Sequence, residues 1–155
     1  MGLDMYLNKR VYVGAYYEFN GVTGSIDLRN KQGEIKVNVR NVSEIVERVA
    51  YWRKANMIHG WFISNCADGE DDCKPVYVPT EKLIELRELC KSIIEMPEGP
   101  KRDAKAMGLL PPCEGFFFGS TKIDADYYEN LQYTVDVLSD ISLDDIHDYE
   151  YLASW

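Results

Sequence analysis

Between residues 1 and 39 apolar and polar side chains alternate, and from Asn41 the apolar spacing lengthens toward that of a helix. A single change of period of this kind favours a sheet built first and helices laid against it, since the two periods expose stripes suited to strand and helix burial respectively. Leu3, Met5 and Leu7 alternate with Asp4, Tyr6 and Asn8, and Val11 and Val13 continue the run after a polar step. Residues 25–29 and 33–39 repeat the alternation around Asn30-Lys31-Gln32-Gly33, whose Asn and Gly suit the positive φ of a hairpin turn. The expected N-terminal half is an antiparallel meander with a loop at 16–24.

Asn41 or Ser43 then offers an N-cap, and Ile45, Val46, Val49, Trp52, Ile58, Phe62 and Cys66 fit one broad helical face. The spacing predicts one long helix, with a bend or junction at the polar Arg53-Lys54 step, stopped by Ala67-Asp68-Gly69-Glu70-Asp71-Asp72. A short strand is expected at 74–78, broken by Pro79. A second helix opens at Thr80-Glu81-Lys82 and runs to about Met96 on Leu83, Ile84, Leu86, Leu89, Cys90, Ile93 and Ile94. The proline-rich stretch around 97–113 reads as a mobile excursion. Gly115-Phe116-Phe117-Phe118-Gly119 reads as a buried strand, and Asp124 to Asp140 as the last long helix, on Tyr127, Tyr128, Leu131, Val135 and Leu138. The acidic, aromatic tail 142–155 is expected to add one short helix.

These elements make one α+β domain over residues 1–155, a mostly antiparallel sheet with about three long helices packed on one face. The 155 residues, 46% hydrophobic and 28% charged, can bury a sizeable core. Against 17 Lys+Arg stand 26 Asp+Glu, and the formal charge of -9 disfavours an extended nucleic-acid backbone as a partner. No apolar run reaches the roughly 20 residues of a membrane span, and no secretory signal opens the chain, so a cytoplasmic location and no membrane partner are expected. Cys66, Cys73, Cys90 and Cys113 lack zinc-site spacing and read as reduced thiols. The 12% aromatic content is compatible with a homo-oligomer without indicating its symmetry.

One stretch stands out chemically. From Tyr51 to Phe62, two cations, an amide, an imidazole and four aromatic rings fall within twelve residues. On a helix Trp52, Asn56 and His59 would share a face with Arg53 about 100° round, forming a wall in which Tyr51 or Trp52 stacks on a flat group. Asn56 would read an edge, and Arg53 or Lys54 would pair a phosphate. The plainer reading makes Trp52 and Trp61 core, Arg53 and Lys54 a solvated face and His59 a satisfied helix histidine. Asp71 and Asp72 lie in an acidic turn that suits solvent, a cationic partner or a divalent ion, though without the ligand order of an EF-hand. Ser120 and Thr121 precede a helix, where they could cap it or receive an anion, but the P-loop pattern is absent. With only two histidines and no hydrolase pattern, no catalytic set, metal ligand set or cofactor is expected.

The motifs Met1-Gly2-Leu3-Asp4-Met5-Tyr6-Leu7, Tyr51-Trp52-Arg53-Lys54-Ala55-Asn56 with Ile58-His59 and Trp61-Phe62, Asp68-Gly69 with Asp71-Asp72-Cys73, and Gly115-Phe116-Phe117-Phe118-Gly119-Ser120-Thr121 with Asp124 and Tyr127-Tyr128 resemble, in that order, a family of small uncharacterised proteins of bacteriophages and prophages. The resemblance implies the cytoplasm of an infected bacterium and a role against host defence. On that basis the expected function is capture of a small phosphorylated, nucleotide-like ligand such as a host immune signal. The expected holders are Tyr51, Trp52, Arg53, Lys54, Asn56, His59, Asp71, Asp72, Ser120 and Thr121. Two alternatives stand beside it. One is a metal-dependent hydrolase or phosphodiesterase on such a nucleotide, using Asp4, Asp71 or Asp72 with His59. The other is an inhibitor of a host protein, acting through the acidic tail.

Overall fold

The computed structural model describes residues 2–13, 28–35, 37–38, 41–141 and 147–155. The loop expected at 16–24, the strand start at 25–27 and tail residues 142–146 lie outside the described residues. Among the described residues the chain is α+β: a four-stranded antiparallel sheet with four helices, and a separate two-stranded hairpin.

Strand β1 (Asp4–Tyr12) is interior, with β4 (Glu44–Arg53) on one side and β6 (Asp148–Ser154) on the other; β5 (Val76–Val78) pairs with the far edge of β6. Period two sorts the faces. Met5 pairs across with Trp52 and Ala153, and Leu7 with Ala50 and Tyr151, and all of these are buried. Tyr6, Tyr51 and Leu152 alternate to the opposite face, where Tyr51 is exposed. Hairpin strands β2 (Leu28–Asn30) and β3 (Gly33–Ile35) turn at the expected Asn30–Gly33 step, with Gly33 at φ 123°, but among the described residues they pair only with each other and form no meander with β1.

The first half of the expected long helix is strand β4, and only Asn56–Cys66 is helical, as α1. A bulge explains why the alternation is hard to read. Leu7 faces Ala50 while Asn8 faces Arg48, so Val49 is an extra residue and the inward phase shifts midway along the strand. Ile45, Val49 and Trp52 then fall at helix-like spacings although β-branched and aromatic residues dominate the segment. Asp68 (φ 51°) and Gly69 (φ 82°) end α1, the Gly69 N–H returning to the Ile63 carbonyl at 2.9 Å.

Helices α2 (Thr80–Ile94) and α4 (Ala125–Asp140) follow their apolar stripes and pack on each other, with Leu83, Leu86, Cys90, Ile93, Tyr127, Leu131 and Leu138 buried. The stretch at 97–113 holds a helix of its own, α3 (Pro100–Leu109). Its proline occupies the first turn, where no N–H is needed, and Gly99 at φ 138° makes the corner before it. Gly115–Gly119 is a turn and not a buried strand. Phe118 N–H bonds Gly115 O at 3.2 Å, Phe117 takes φ 68°, and Phe116 is 79% exposed while Phe118 alone goes inward. The tail is corrected most: in place of a short helix, residues 148–154 form β6, an inner strand with Tyr149, Tyr151 and Ala153 buried. One of its acidic residues, Glu150, has a structural partner in Arg10 at 3.2 Å, which also bridges Glu44 of β4 at 2.9 Å.

Candidate functional site

Where β4 ends, the backbone turns sharply at Lys54 (φ 59°), whose N–H bonds Leu3 O at 2.8 Å, and α1 starts two residues later. The turn throws Arg53 and Lys54 to the surface. A Cβ on Gly119 would lie 3.0 Å from Lys54 Cβ, and one on Gly2 3.3 Å from Lys54 Cε, so the lysine stem runs along two side-chain-free stretches of backbone. Asn56, the first residue of α1, is fully buried and holds the facing loop: its amide Nδ2 donates to Phe118 O at 3.2 Å and Ser120 O at 2.8 Å.

These elements and α4 enclose a cleft of about 580 Å³ lined by Arg53, Lys54, Ser120 and Lys122 on one side and by Asp126, Glu129, Asn130 and Tyr133 of α4 on the other. Tyr133 is pre-set, its hydroxyl accepting the Tyr51 N–H at 3.2 Å and its ring standing edge-on to Trp52 at 6.0 Å. Its side is 40% exposed and open to a stacking partner. Arg53 Nε approaches Asp4 only to 3.9 Å with its side chain 60% exposed. Neither Lys54 nor Lys122 forms an ion pair among the described residues. Asp124, also on the wall, is spent as the N-cap of α4, accepting from Tyr127 N–H at 3.2 Å.

Three of the ten expected site residues therefore line this cleft: Arg53, Lys54 and Ser120. Trp52 is core, its indole N–H donating to Thr134 Oγ1 at 2.9 Å. Asn56 is a latch with no exposed atom. Tyr51 lies on the open sheet face, its hydroxyl donating to Asp4, a bond that raises the phenol pKa. Thr121 borders a shallower depression with Phe116. Ser120 Oγ accepts from Lys122 N–H at 3.1 Å and shapes the loop. The shared helical face proposed for Trp52, Asn56 and His59 does not exist, because Trp52 is on a strand.

His59 is 1% exposed and has both ring nitrogens engaged, Nδ1 with Tyr151 Oη at 2.7 Å and Nε2 with Asp71 at 3.0 Å. Burial, and then the Asp71 charge, push the Tyr151 phenol well above its ordinary value, so it stays protonated beside the imidazole. Asp72 pairs with Lys74, whose hydrogen bonds lower the carboxyl pKa. Asp4, Asp71 and Asp72 thus serve separate partners, and among the described residues no group of three His, Cys, Asp or Glu is placed to hold a metal. All four cysteines are free thiols.

Asp126, Glu129, Asn130 and Tyr133 were not singled out from the sequence, and Lys122 was not among the expected holders. The four α4 residues follow an i, i+3, i+4, i+7 stripe, the available signal, but they form the polar edge of a helix whose apolar residues dominate its pattern. A second cleft of about 610 Å³ abuts the first through Asp124 and Glu129, but it sets one cation, Arg102, among four carboxylates and repels an anion. Comparison with protein-family models, curated proteins and solved structures finds no match. No helix among the described residues is long and apolar enough to cross a membrane.

Proposed function

We propose that this protein binds a small phosphorylated, nucleotide-like ligand in the cleft between the end of β4, the 118–122 loop and α4. One observation carries the reading: Arg53, Lys54 and Lys122 converge on one cavity, and the two lysines remain without a carboxylate partner although acidic residues line the same walls. Charge-assisted hydrogen bonds from several cations suit a phosphate, and the half-exposed Tyr133 ring supplies a face for a base. A volume near 580 Å³ accommodates a mononucleotide-sized molecule. Holding without turnover fits this wall, since His59 is sealed away from it. Sequestration of a host signal by a phage protein, as the resemblance in the sequence implies, is the biological form this binding would take.

Calorimetric titration with nucleoside mono- and diphosphates should give saturable binding that weakens as salt rises. Arg53→Ala and Lys122→Ala should each weaken it about tenfold or more. Absence of binding to any nucleotide, or full affinity in the Arg53→Ala/Lys122→Ala double variant, rejects the assignment. Recovery of unaltered nucleotide after denaturing the complex supports holding over turnover.

A further inference from the structure

The same cleft carries two carboxylates that a phosphate site has no use for. Asp124 is consumed as a helix cap, but the side chains of Asp126 and Glu129 have no hydrogen-bond or ion-pair partner among the described residues. They stand on the α4 face that also presents Asn130 and Tyr133. Asn130 Nδ2 is tied to the Asp126 backbone carbonyl at 2.8 Å, which leaves its Oδ1 as a further acceptor. Opposite the cationic wall the cleft is therefore lined by acceptors beside an aromatic ring.

An ionised carboxylate only accepts hydrogen bonds, and accepts two best from parallel donors. The nucleobases differ in what they offer. Adenine and cytosine place an amino group next to a ring nitrogen acceptor, which a carboxylate repels, and uracil flanks its one N–H with two carbonyls. Guanine alone presents N1–H and the 2-amino group side by side. We propose that the ligand is a guanine nucleotide, its phosphate at Arg53, Lys54 and Lys122, its base beside Tyr133, and its N1–H and 2-amino edge received by Asp126 or Glu129. The assignment rests on the cleft being a nucleotide site. Discrimination arises from both attraction and repulsion, since the carboxylate that receives guanine meets an acceptor on adenine.

The full chain is titrated with GMP, IMP, AMP and CMP, alongside Asp126→Asn and Glu129→Gln, whose exposed positions on α4 should leave the fold intact, as thermal unfolding would check. GMP should bind roughly tenfold or more tighter than IMP, which lacks the 2-amino group, and tighter again than AMP and CMP. One of the two variants should lose roughly tenfold or more in GMP affinity while AMP affinity holds or improves. Equal affinity for all four nucleotides, a preference for AMP, or two variants that bind GMP as wild type overturn the guanine assignment and leave the phosphate site standing. No binding by any nucleotide overturns the site and the assignment together.

Discussion

Replacing Asn56 with alanine separates a residue that holds the site's architecture from one that touches ligand. An exposed amide reading a ligand edge could be truncated with a change of roughly 0.5 kcal/mol or less in stability. Asn56 is instead 0% exposed, and both its amide hydrogens go to the backbone carbonyls of Phe118 and Ser120. The orientation follows from these partners, because the flipped amide would set its oxygen against two carbonyl oxygens. Loss of the side chain strands two acceptors, at about 1–3 kcal/mol each if they stay dry. The relief of removing its own unpartnered Oδ1 offsets part of that. A net loss of about 3 kcal/mol results, or roughly 6–12 °C in Tm for a chain of this size. Urea unfolding should show a lower midpoint at unchanged slope, and hydrogen exchange should rise in the 115–122 loop. Asn56→Asp keeps the size, removes both donors and buries a charge against carbonyl oxygens, so it should be worse than alanine. A loss under about 1 kcal/mol for alanine, or an aspartate variant as stable as wild type, would refute the latch.

Deleting residues 141–155 removes the strand between β1 and β5, and the truncated chain should show no cooperative thermal transition; a cooperative melt would mean that β6 is dispensable. Burial pushes the Cys90 thiol from 9.0 to about 12, so folding holds it protonated while the unfolded chain ionises it. Its contribution is whole below pH 9 and is lost as pH rises toward 12, and the loss between pH 7 and 10 should be smaller in Cys90→Ala by about 1.4 kcal/mol, read from urea midpoints at the two pH values. An identical pH dependence in the variant would contradict this. Gly115→Ala would put its Cβ 2.4 Å from the Phe118 ring and should cost about 1–3 kcal/mol by chemical denaturation, whereas Phe116→Ser at a 79% exposed ring should stay within about 0.5 kcal/mol.

What could be seen in the sequence, and what could not, follows from how far each signal depends on distant residues. Helices α2 and α4 were legible because Leu83, Leu86, Cys90 and Ile93, and Tyr127, Leu131 and Leu138, each repeat a helical spacing within one segment. Strand β4 was hidden by its bulge: the phase shift at Val49 exists only because β1 offers Leu7 and Asn8 as consecutive partners. In β6 the alternation of Tyr149, Tyr151 and Ala153 was present, but acidic composition masked it, and only Arg10, over a hundred residues away, accounts for Glu150. Gly115–Gly119 looked buried because it is aromatic, yet two glycines around three rings are what a turn needs when one ring goes in and two stay out. The site divides along the same line. Arg53 and Lys54 were visible because cations at the end of an apolar segment are anomalous by themselves. Asp126, Glu129, Asn130 and Tyr133 were not, since a polar helix edge has no meaning until another element faces it. What turns that edge into a wall is the Asn56 amide, buried and unable to touch ligand, which fixes the 118–120 backbone opposite it. The residue that looked most like a ligand reader therefore acts one step back, and the side chains proposed to read a ligand lie on the helix that the twelve-residue motif does not contain.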